Sequence, residues 1–523
     1  MRTQRQRMWA WGLSLAVSVL ISLPYLFAQN LATPDVFTGF LINPTDGFSY
    51  LAKMREGARG SWTFTLPYAA EAGDGVLLYL YYLLLGQLAG LIGAPLMVVY
   101  HLARIASATL MFYMAFQFYG SVFRNVRWIW TAFVLTLLGA GLGWLGVLFG
   151  VDGSDLTIPE SIPLFSAYTN AHFPLAIAAV LGAGRACLRT QESRFGEAFQ
   201  GWFWGTILVL VLPFSTAGIG AAMVVWLVWE AHSKRGIIGR DVKRLFMLPG
   251  VPAFAGYLLG VLPWLVYNVW VVLTHPVISG WTAQNQTRSP PISSYLIGYS
   301  PLLIFAVLGY LRGYPMRRRE TRFIAVWLIV NTLLLYVPVS VQRRMNLGLY
   351  IPLTAMAVLG MAGWFSPSRL RAVAALMIAL TLPSLALMIG TGIFGVEQGL
   401  PELVYEKDEI AAYRWLAEEL PEGALVLAGA QAGNRIPAFS SGRVLYGHPF
   451  ETPQADAMLA LLDDLYNPAL SSSERYRLLE SYDVDFIFAG PSEAALGFED
   501  WAFAGEVVYN NPSVRIYQVR DHE

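Results

Sequence analysis

Long apolar runs almost free of charge recur along this chain, among them "GLSLAVSVLISLPYLFA" (12–28), "VPAFAGYLLGVLPWLVYNVWVVLT" (251–274) and "AVAALMIALTLPSLALMIGTGIFG" (372–395). Each approaches the roughly 20 residues that a helix needs to cross about 30 Å of hydrocarbon. Backbone in lipid must satisfy its own hydrogen bonds, which leaves helices and closed barrels as spanning structures. Barrel strands read as short alternating segments, and these runs are continuous. The expectation is a polytopic α-helical membrane protein. Composition agrees: 56% of the 523 residues are hydrophobic and 13% are charged, where soluble domains carry about 25%, and the mean hydropathy is +0.49.

Orientation is read from Lys and Arg in short loops. These cluster at 2–7, 124–127, 185–194, 233–244, 312–322 and 368–371, and all six should be cytoplasmic. Helices near 9–28, 98–120, 128–149, 172–188, 198–213, 215–230, 246–273, 297–311, 323–340, 347–365 and 372–395 meet that requirement, giving eleven spans. A twelfth run at 75–95 would reverse every later helix, so it is expected along or dipping into the outer face. The basic flank and long apolar run at the start read as a retained signal anchor with its amino end in the cytoplasm.

External segments follow: a first loop at about 29–97, a second at 150–171, a third at 274–296, the short "SVQRRMN" and everything after about 394. Residues 1–396 form the expected transmembrane domain. From 397 the pattern changes: "EKDEIAAYRWLAEEL" is an amphipathic helix, and "ALVLAG", "VDFIFAG" and "SVRIYQV" are short strands. Residues 397–523 are therefore expected as an extracytoplasmic α/β domain.

Equal numbers of basic and acidic residues, 35 each, give no argument for nucleic acid. The single cysteine, Cys187, excludes an intrachain disulfide. No P-loop, dinucleotide-binding glycine motif or H-E-x-x-H is present. With short cytoplasmic loops, a transferase of this kind would take its activated donor from the membrane.

Polar residues crowd the first loop at "NPTDGFSYLAKMREGARGSW" (43–62). Asp46 sits in a Pro/Gly turn before a short helix carrying Tyr50, Lys53 and Arg55; a carboxylate there equally suits a helix cap. In the second loop Glu160 follows a proline, and Asn170 and His172 stand at the start of a span. Gln342, Arg343 and Arg344 lie in a very short external loop, where guanidinium forks suit phosphate oxygens and snorkelling or acid pairing are the bland alternatives. Arg104, two turns into a span, needs a polar cavity or partner. Trp281 and Asn285 in the third loop are types that line sugar pockets and are equally ordinary at an interface.

This arrangement resembles the GT-C class of membrane glycosyltransferases, and "PTDGFSYLAKMREGARGSW", "PESIPLFSAYTNAHFPLAI", "VQRRMNLGLYIPL" and "GNRIPAFSSGRVLYGHPFETP" are similar to bacterial members of it. The resemblance implies a polyprenyl-phosphate-linked sugar donor, an extracytoplasmic acceptor, a plasma-membrane location, and an essential acidic residue in the first external loop. Asp46 matches that residue. Asp46 and Glu160 are then the expected catalytic residues, and the remaining polar residues named above contact substrate. A divalent metal ion is used by only part of the class, so metal use is left open. The competing readings are a secondary transporter and a lipid-binding envelope protein without activity.

Overall fold

The computed structural model describes residues 3–189, 193–233, 248–467, 469–498, 501 and 505–519. The basic loop expected at 233–244 falls, apart from Ser233, outside the described residues, as do 190–192 of the one before it. Each of the eleven expected hydrophobic segments is helical over most of its described length. Among the described residues six helices are long and apolar enough to cross a membrane: Gln4–Leu31, Leu96–Val122, Pro213–Ser233, Val251–Thr274, Gln342–Trp364 and Pro367–Glu397. Ile292–Gly298 and Leu302–Leu311, bent by 93°, make a seventh if counted as one span.

Of the remaining expected spans, one is broken for an identifiable reason. The one expected at 128–149 stops at Leu138 and restarts at Gly143. Asp155 Oδ2 accepts from the Gly141 and Gly143 N–H groups (3.1 and 3.0 Å) and so satisfies backbone freed by the break. Leu80–Ile92, inside the 75–95 run, has 13 residues, about 20 Å at 1.5 Å per residue, less than the hydrocarbon thickness.

Backbone contacts divide the chain into two compact units. The first comprises Met1–Leu23, Leu102–Tyr267 and Thr287–Thr391. Its helices His172–Leu188 and Tyr350–Trp364 are buried along nearly their whole length. Alanine and glycine make that possible: a Cβ on Gly360 would collide with the Phe305 carbonyl of helix Leu302–Leu311, the small-residue contact by which helices pack without a hydrophobic drive.

The second unit comprises Pro24–His101, Asn268–Gln286 and Gly392–Glu523. The amphipathic helix falls at Lys407–Glu419 and the three expected strands at Leu425–Leu427, Phe486–Ala489 and Arg515–Val519. Strands are numbered β1 (Val36–Phe37), β2 (Val404–Tyr405), β3 (Leu425–Leu427), β4 (Arg443–Val444), β5 (Phe486–Ala489), β6 (Gly505–Asn510) and β7 (Arg515–Val519). One sheet has the order β4-β3-β5-β7-β6. β4, β3 and β5 are parallel; β7 and β6 continue antiparallel. β3 and β5 are buried at every residue, as expected of parallel strands covered on both faces.

Residues 397–523 thus do not pack alone but with the first loop. β1 pairs antiparallel with β2, and the Val444 N–H donates to the Pro67 carbonyl (2.9 Å). The helix Pro44–Ala58 lies against Leu80–Ile92 through Gly57, Gly86 and Gly90; a Cβ on Gly86 would overlap the Met54 carbonyl.

Candidate functional site

Two polar clusters stand out, one in each unit. In the second unit the helix Pro44–Ala58 begins from Asn43 in the left-handed conformation (φ 49°), with Pro44 in its first turn, a start that proline's fixed φ favours. Asp46 sits in the same turn, at the positive end of the helix dipole. Its carboxylate is 40% exposed, and Oδ1 lies 3.1 Å from His448 Nε2. The Phe450 N–H donates to His448 Nδ1 (3.1 Å). The neutral ring therefore carries its proton on Nε2 and donates it to Asp46. Thr452 Oγ1 accepts from the Gly447 and His448 N–H groups (both 3.2 Å), pinning the turn that presents the imidazole.

Two turns further along the helix, Lys53 is buried. Its Nζ donates to Ser49 Oγ (2.5 Å) and to both Glu451 oxygens (2.9 Å each), and it faces the rings of Tyr79, Phe64 and Tyr50 at 4.3, 5.3 and 5.9 Å. Burial alone would raise the Glu451 carboxyl, but the Lys53 charge and the hydrogen bonds from Lys53 and Ser49 outweigh it and hold it below its usual range. Tyr50 stacks on Tyr82 with ring centres 4.5 Å apart. Arg55 Nε donates to the Ala438 carbonyl near the end of helix Ala430–Phe439 (3.4 Å). Tyr50, Lys53 and Arg55, expected to contact substrate, are thus engaged in anchoring the helix, while Asp46 keeps an open face. Trp281 lies on the helix Pro276–Gln284, and Asn285 follows it, half-buried.

In the first unit Glu160 is buried, and one carboxylate oxygen, Oε1, accepts from Arg344 Nη1. The Arg344 guanidinium also lies 5.5 Å from the Phe173 ring centre. Arg344 and Arg343 occupy the 3-10 turn Gln342–Asn346. That turn is tied down by the Arg343 N–H to the Thr287 carbonyl (3.1 Å), Asn331 Nδ2 to the Met345 carbonyl (3.2 Å) and Asn346 Nδ2 to Ser161 Oγ (2.7 Å). Gln342, with its amide nitrogen toward the Val337 carbonyl (2.7 Å) and its oxygen toward the Ser289 N–H (3.0 Å), braces the same loop. Among the described residues, Glu160 Oε2 and Arg343 Nε are buried without a hydrogen-bond partner. Asn170 and His172 are buried at the two sides of the break between helices Pro163–Thr169 and His172–Leu188. Arg104 is fully buried and donates to the Tyr168 carbonyl (2.6 Å), the Ala167 carbonyl (3.4 Å) and Ser22 Oγ (3.1 Å). Its guanidinium thus caps a helix end, the kind of partner an intramembrane arginine requires.

Among the described residues no group of three or more His, Cys, Asp or Glu side chains is arranged to hold a metal ion. Asp46 and His448 bond each other and Glu451 is committed to Lys53, so these residues form a hydrogen-bonded network and not a ligand set.

No protein-family model matches the sequence, and no curated protein does. Solved structures do. The mycobacterial arabinofuranosyltransferase AftD aligns with all of this chain and 40% of its own at 15% identity, with a TM-score of 0.55. The Archaeoglobus fulgidus oligosaccharyltransferase aligns over 94% of this chain and 72% of its own at 13% identity and a TM-score of 0.54; its complex with an inhibitory peptide and a dolichol-phosphate gives 0.50 at 14% identity, over 96% and 72%. ArnT from Cupriavidus metallidurans covers 97% of both chains at 14% identity and a TM-score of 0.50. The chain has the GT-C fold.

Within that GT-C fold, what sequence reasoning left out is the pairing: His448 reads as a packing or turn residue that could help recognise acceptor, and Glu451 is not singled out. His448 and Glu451 sit three apart in "GHPFETP", a proline-bounded turn that reads as a packing element. Nothing local shows that they meet Asp46 and Lys53 some 400 positions earlier. Ser161 and Asn346, which fix the Glu160 and Arg344 turns to each other, are ordinary polar residues in sequence. The available signal was the adjacency of each to a charge already singled out.

Proposed function

We propose that this chain is an integral membrane glycosyltransferase that moves a sugar from a polyprenyl-phosphate donor to a hydroxyl of an extracytoplasmic lipid, glycan or protein. The observation that carries the proposal is the Asp46–His448 pair: a half-exposed carboxylate, oriented by a tautomerically fixed imidazole, at the start of the first-loop helix of a GT-C fold. Asp46 takes the proton of the acceptor hydroxyl as that oxygen attacks the anomeric carbon. The bond from that carbon to the lipid phosphate oxygen breaks, and attack from the opposite face inverts the centre. His448 is a positioning residue, holding Asp46 Oδ1 so that the carboxylate does not reorient between turnovers.

The leaving lipid phosphate needs cationic stabilisation, which Arg343 and Arg344 provide in this reading. Two features support it. Arg343 Nε is a buried donor that lacks a partner among the described residues, a state that costs about 1–3 kcal/mol and that a phosphate oxygen relieves. The dolichol-phosphate in the archaeal complex is a lipid phosphate on the same fold. Glu160 holds Arg344 in place and offers its second oxygen to a sugar hydroxyl.

The decisive experiment is glycosyl transfer by detergent-extracted protein, with mass spectrometry of co-purifying lipid. Turnover that disappears in Asp46→Asn, with a polyprenyl phosphate that is lost in Arg343→Ala/Arg344→Ala, is the expected result. Normal turnover by Asp46→Asn removes that residue from the mechanism, and liposome uptake without transfer overturns the enzyme reading.

A further inference from the structure

The parallel part of the sheet in the second unit runs β4-β3-β5. The chain leaves β3, passes through helix Ala430–Phe439 to β4 on one side, then returns through two helices, Ala455–Tyr466 and Ser472–Ser481, to β5 on the other side. The connections therefore part between β3 and β5. In open parallel sheets the crevice outside the strand ends at such a point is where ligands bind. A cavity of about 640 Å³ lies there, lined after β3 by Ala430 and Gln431 and after β5 by Ser492 and Ala495. Buried Glu493 braces it, one oxygen accepting from the Gly429 N–H (2.7 Å) and the other from the Gly490 N–H (2.9 Å), so the two loops are clipped apart at a fixed width.

The opposite wall belongs to the helix that carries Asp46. Pro44, Thr45 and Phe48 line the cavity, and Asn434 Nδ2 donates to the Thr45 carbonyl (3.2 Å). Gly447 and Pro449, on either side of His448, line it too. Asp46 and His448 do not line the cavity themselves, but each is flanked in the chain by residues that do: Thr45 before Asp46, and Gly447 and Pro449 around His448. Charge narrows what fits: Arg435 is committed to Glu409 (2.7 Å), leaving Asp35, Glu402 and Glu406 as the charged remainder of the lining. Ionised carboxylates only accept hydrogen bonds, so a ligand here must be rich in donors, and a phosphate or carboxylate on it would be repelled.

We infer that this crevice binds the acceptor and that the acceptor is a neutral, hydroxyl-rich glycan. The inference rests on the reading of Asp46 as the base, and it adds the acceptor's chemical class and the surface that holds it.

The test uses the full chain in detergent or nanodiscs, applied to an immobilised panel of neutral di- to hexasaccharides and their phosphorylated and uronic-acid counterparts. Neutral glycans should be retained and the anionic ones not. Ala495→Trp, which fills the cavity from an exposed position, and Gln431→Ala should each weaken retention by about tenfold or more, the worth of one or two lost hydrogen bonds or an excluded sugar. Lipid co-purification, which depends on the other unit, reports that these variants are folded. Asp46→Asn should retain the glycan while losing transfer, so a failure of the base assignment shows as turnover and a failure of the crevice shows as retention. Preference for anionic glycans, no retention of any neutral glycan, or full retention by Ala495→Trp overturns the inference.

Discussion

The two polar clusters are built from the same kinds of residue and are finished to different degrees. In the second unit Lys53 and Glu451 are buried together, with the ammonium shared between both carboxylate oxygens and Ser49 and surrounded by three aromatic rings. In the first unit Glu160 is as deeply buried, yet its Oε2 has no partner among the described residues, and neither has Arg343 Nε. A closed network leaves a ligand nothing to satisfy and serves to hold backbone in place. An unfinished one carries a cost that a ligand or an ordered water removes. Beside the closed network, half-exposed Asp46 is the group with room to react.

The sharpest way to break this division is to remove charge without changing shape at Asp46. Asp46→Asn should lower turnover by about 10²- to 10⁴-fold, the usual worth of a general base, with thermal stability unchanged. A matched loss of stability would move Asp46 into the structural group. For Lys53→Ala the order reverses. Leaving Glu451 buried and unpaired should cost about 3–5 kcal/mol of stability, while Lys53→Met/Glu451→Leu, which removes both charges, should recover most of it. Chemical denaturation measures both, and a single variant as stable as wild type would mean that the pair holds nothing together.

Arg344→Ala tests the unfinished cluster. If Arg344 meets a desolvated phosphate, donor-lipid affinity should fall by about 2–5 kcal/mol. Arg104→Ala should instead act on folding, since its Nη1 is spent on two carbonyls and its Nη2 on Ser22 Oγ of the same unit. Equal effects of the two substitutions on lipid affinity would erase the distinction drawn between them.

How far the sequence carried this result depends on whether each feature is local. Apolar runs, the Lys407–Glu419 helix and strands β3, β5 and β7 are legible because periodicity and hydropathy are properties of neighbouring residues. Asp46 is legible as a polar residue in a turn. What its neighbours do is not, because Lys53 reads as a substrate contact until Glu451 arrives from position 451. The short strands β4 and β6 escaped for a related reason: β4 has two residues, and β6 alternates weakly at a sheet edge. The broken span after Leu138 was also hidden, since "GAGLG" inside an apolar run looks like a packing seam until Asp155 is seen capping it.

A smaller effect separates packing from charge within the second unit. Gly86→Ala touches no ionised group but places a methyl against the Met54 carbonyl, and overpacking of this kind costs about 1–3 kcal/mol. Stability should fall while turnover per folded molecule stays near wild type. A large drop in turnover would mean that the seat of the Asp46 helix is part of the chemistry.

The smallest effect is a pH dependence that divides two buried glutamates of the same unit. Glu451 is held below its usual range, near 4.5, so its contribution is present above that value and lost as pH falls through the lowered folded value. Glu493 is shifted the other way: burial raises it, and the Gly490 and Gly429 N–H groups offset only part of that. Its contribution is therefore full below its usual value and lost as pH rises through the raised one. Denaturation midpoints of wild type should then show two opposed limbs. The acid limb should vanish in Lys53→Met/Glu451→Leu while the other persists, because the carboxylate that clips the crevice loops titrates independently of the one that anchors the helix. Loss of both limbs in that double variant would show that the anchor and the crevice form one electrostatic unit.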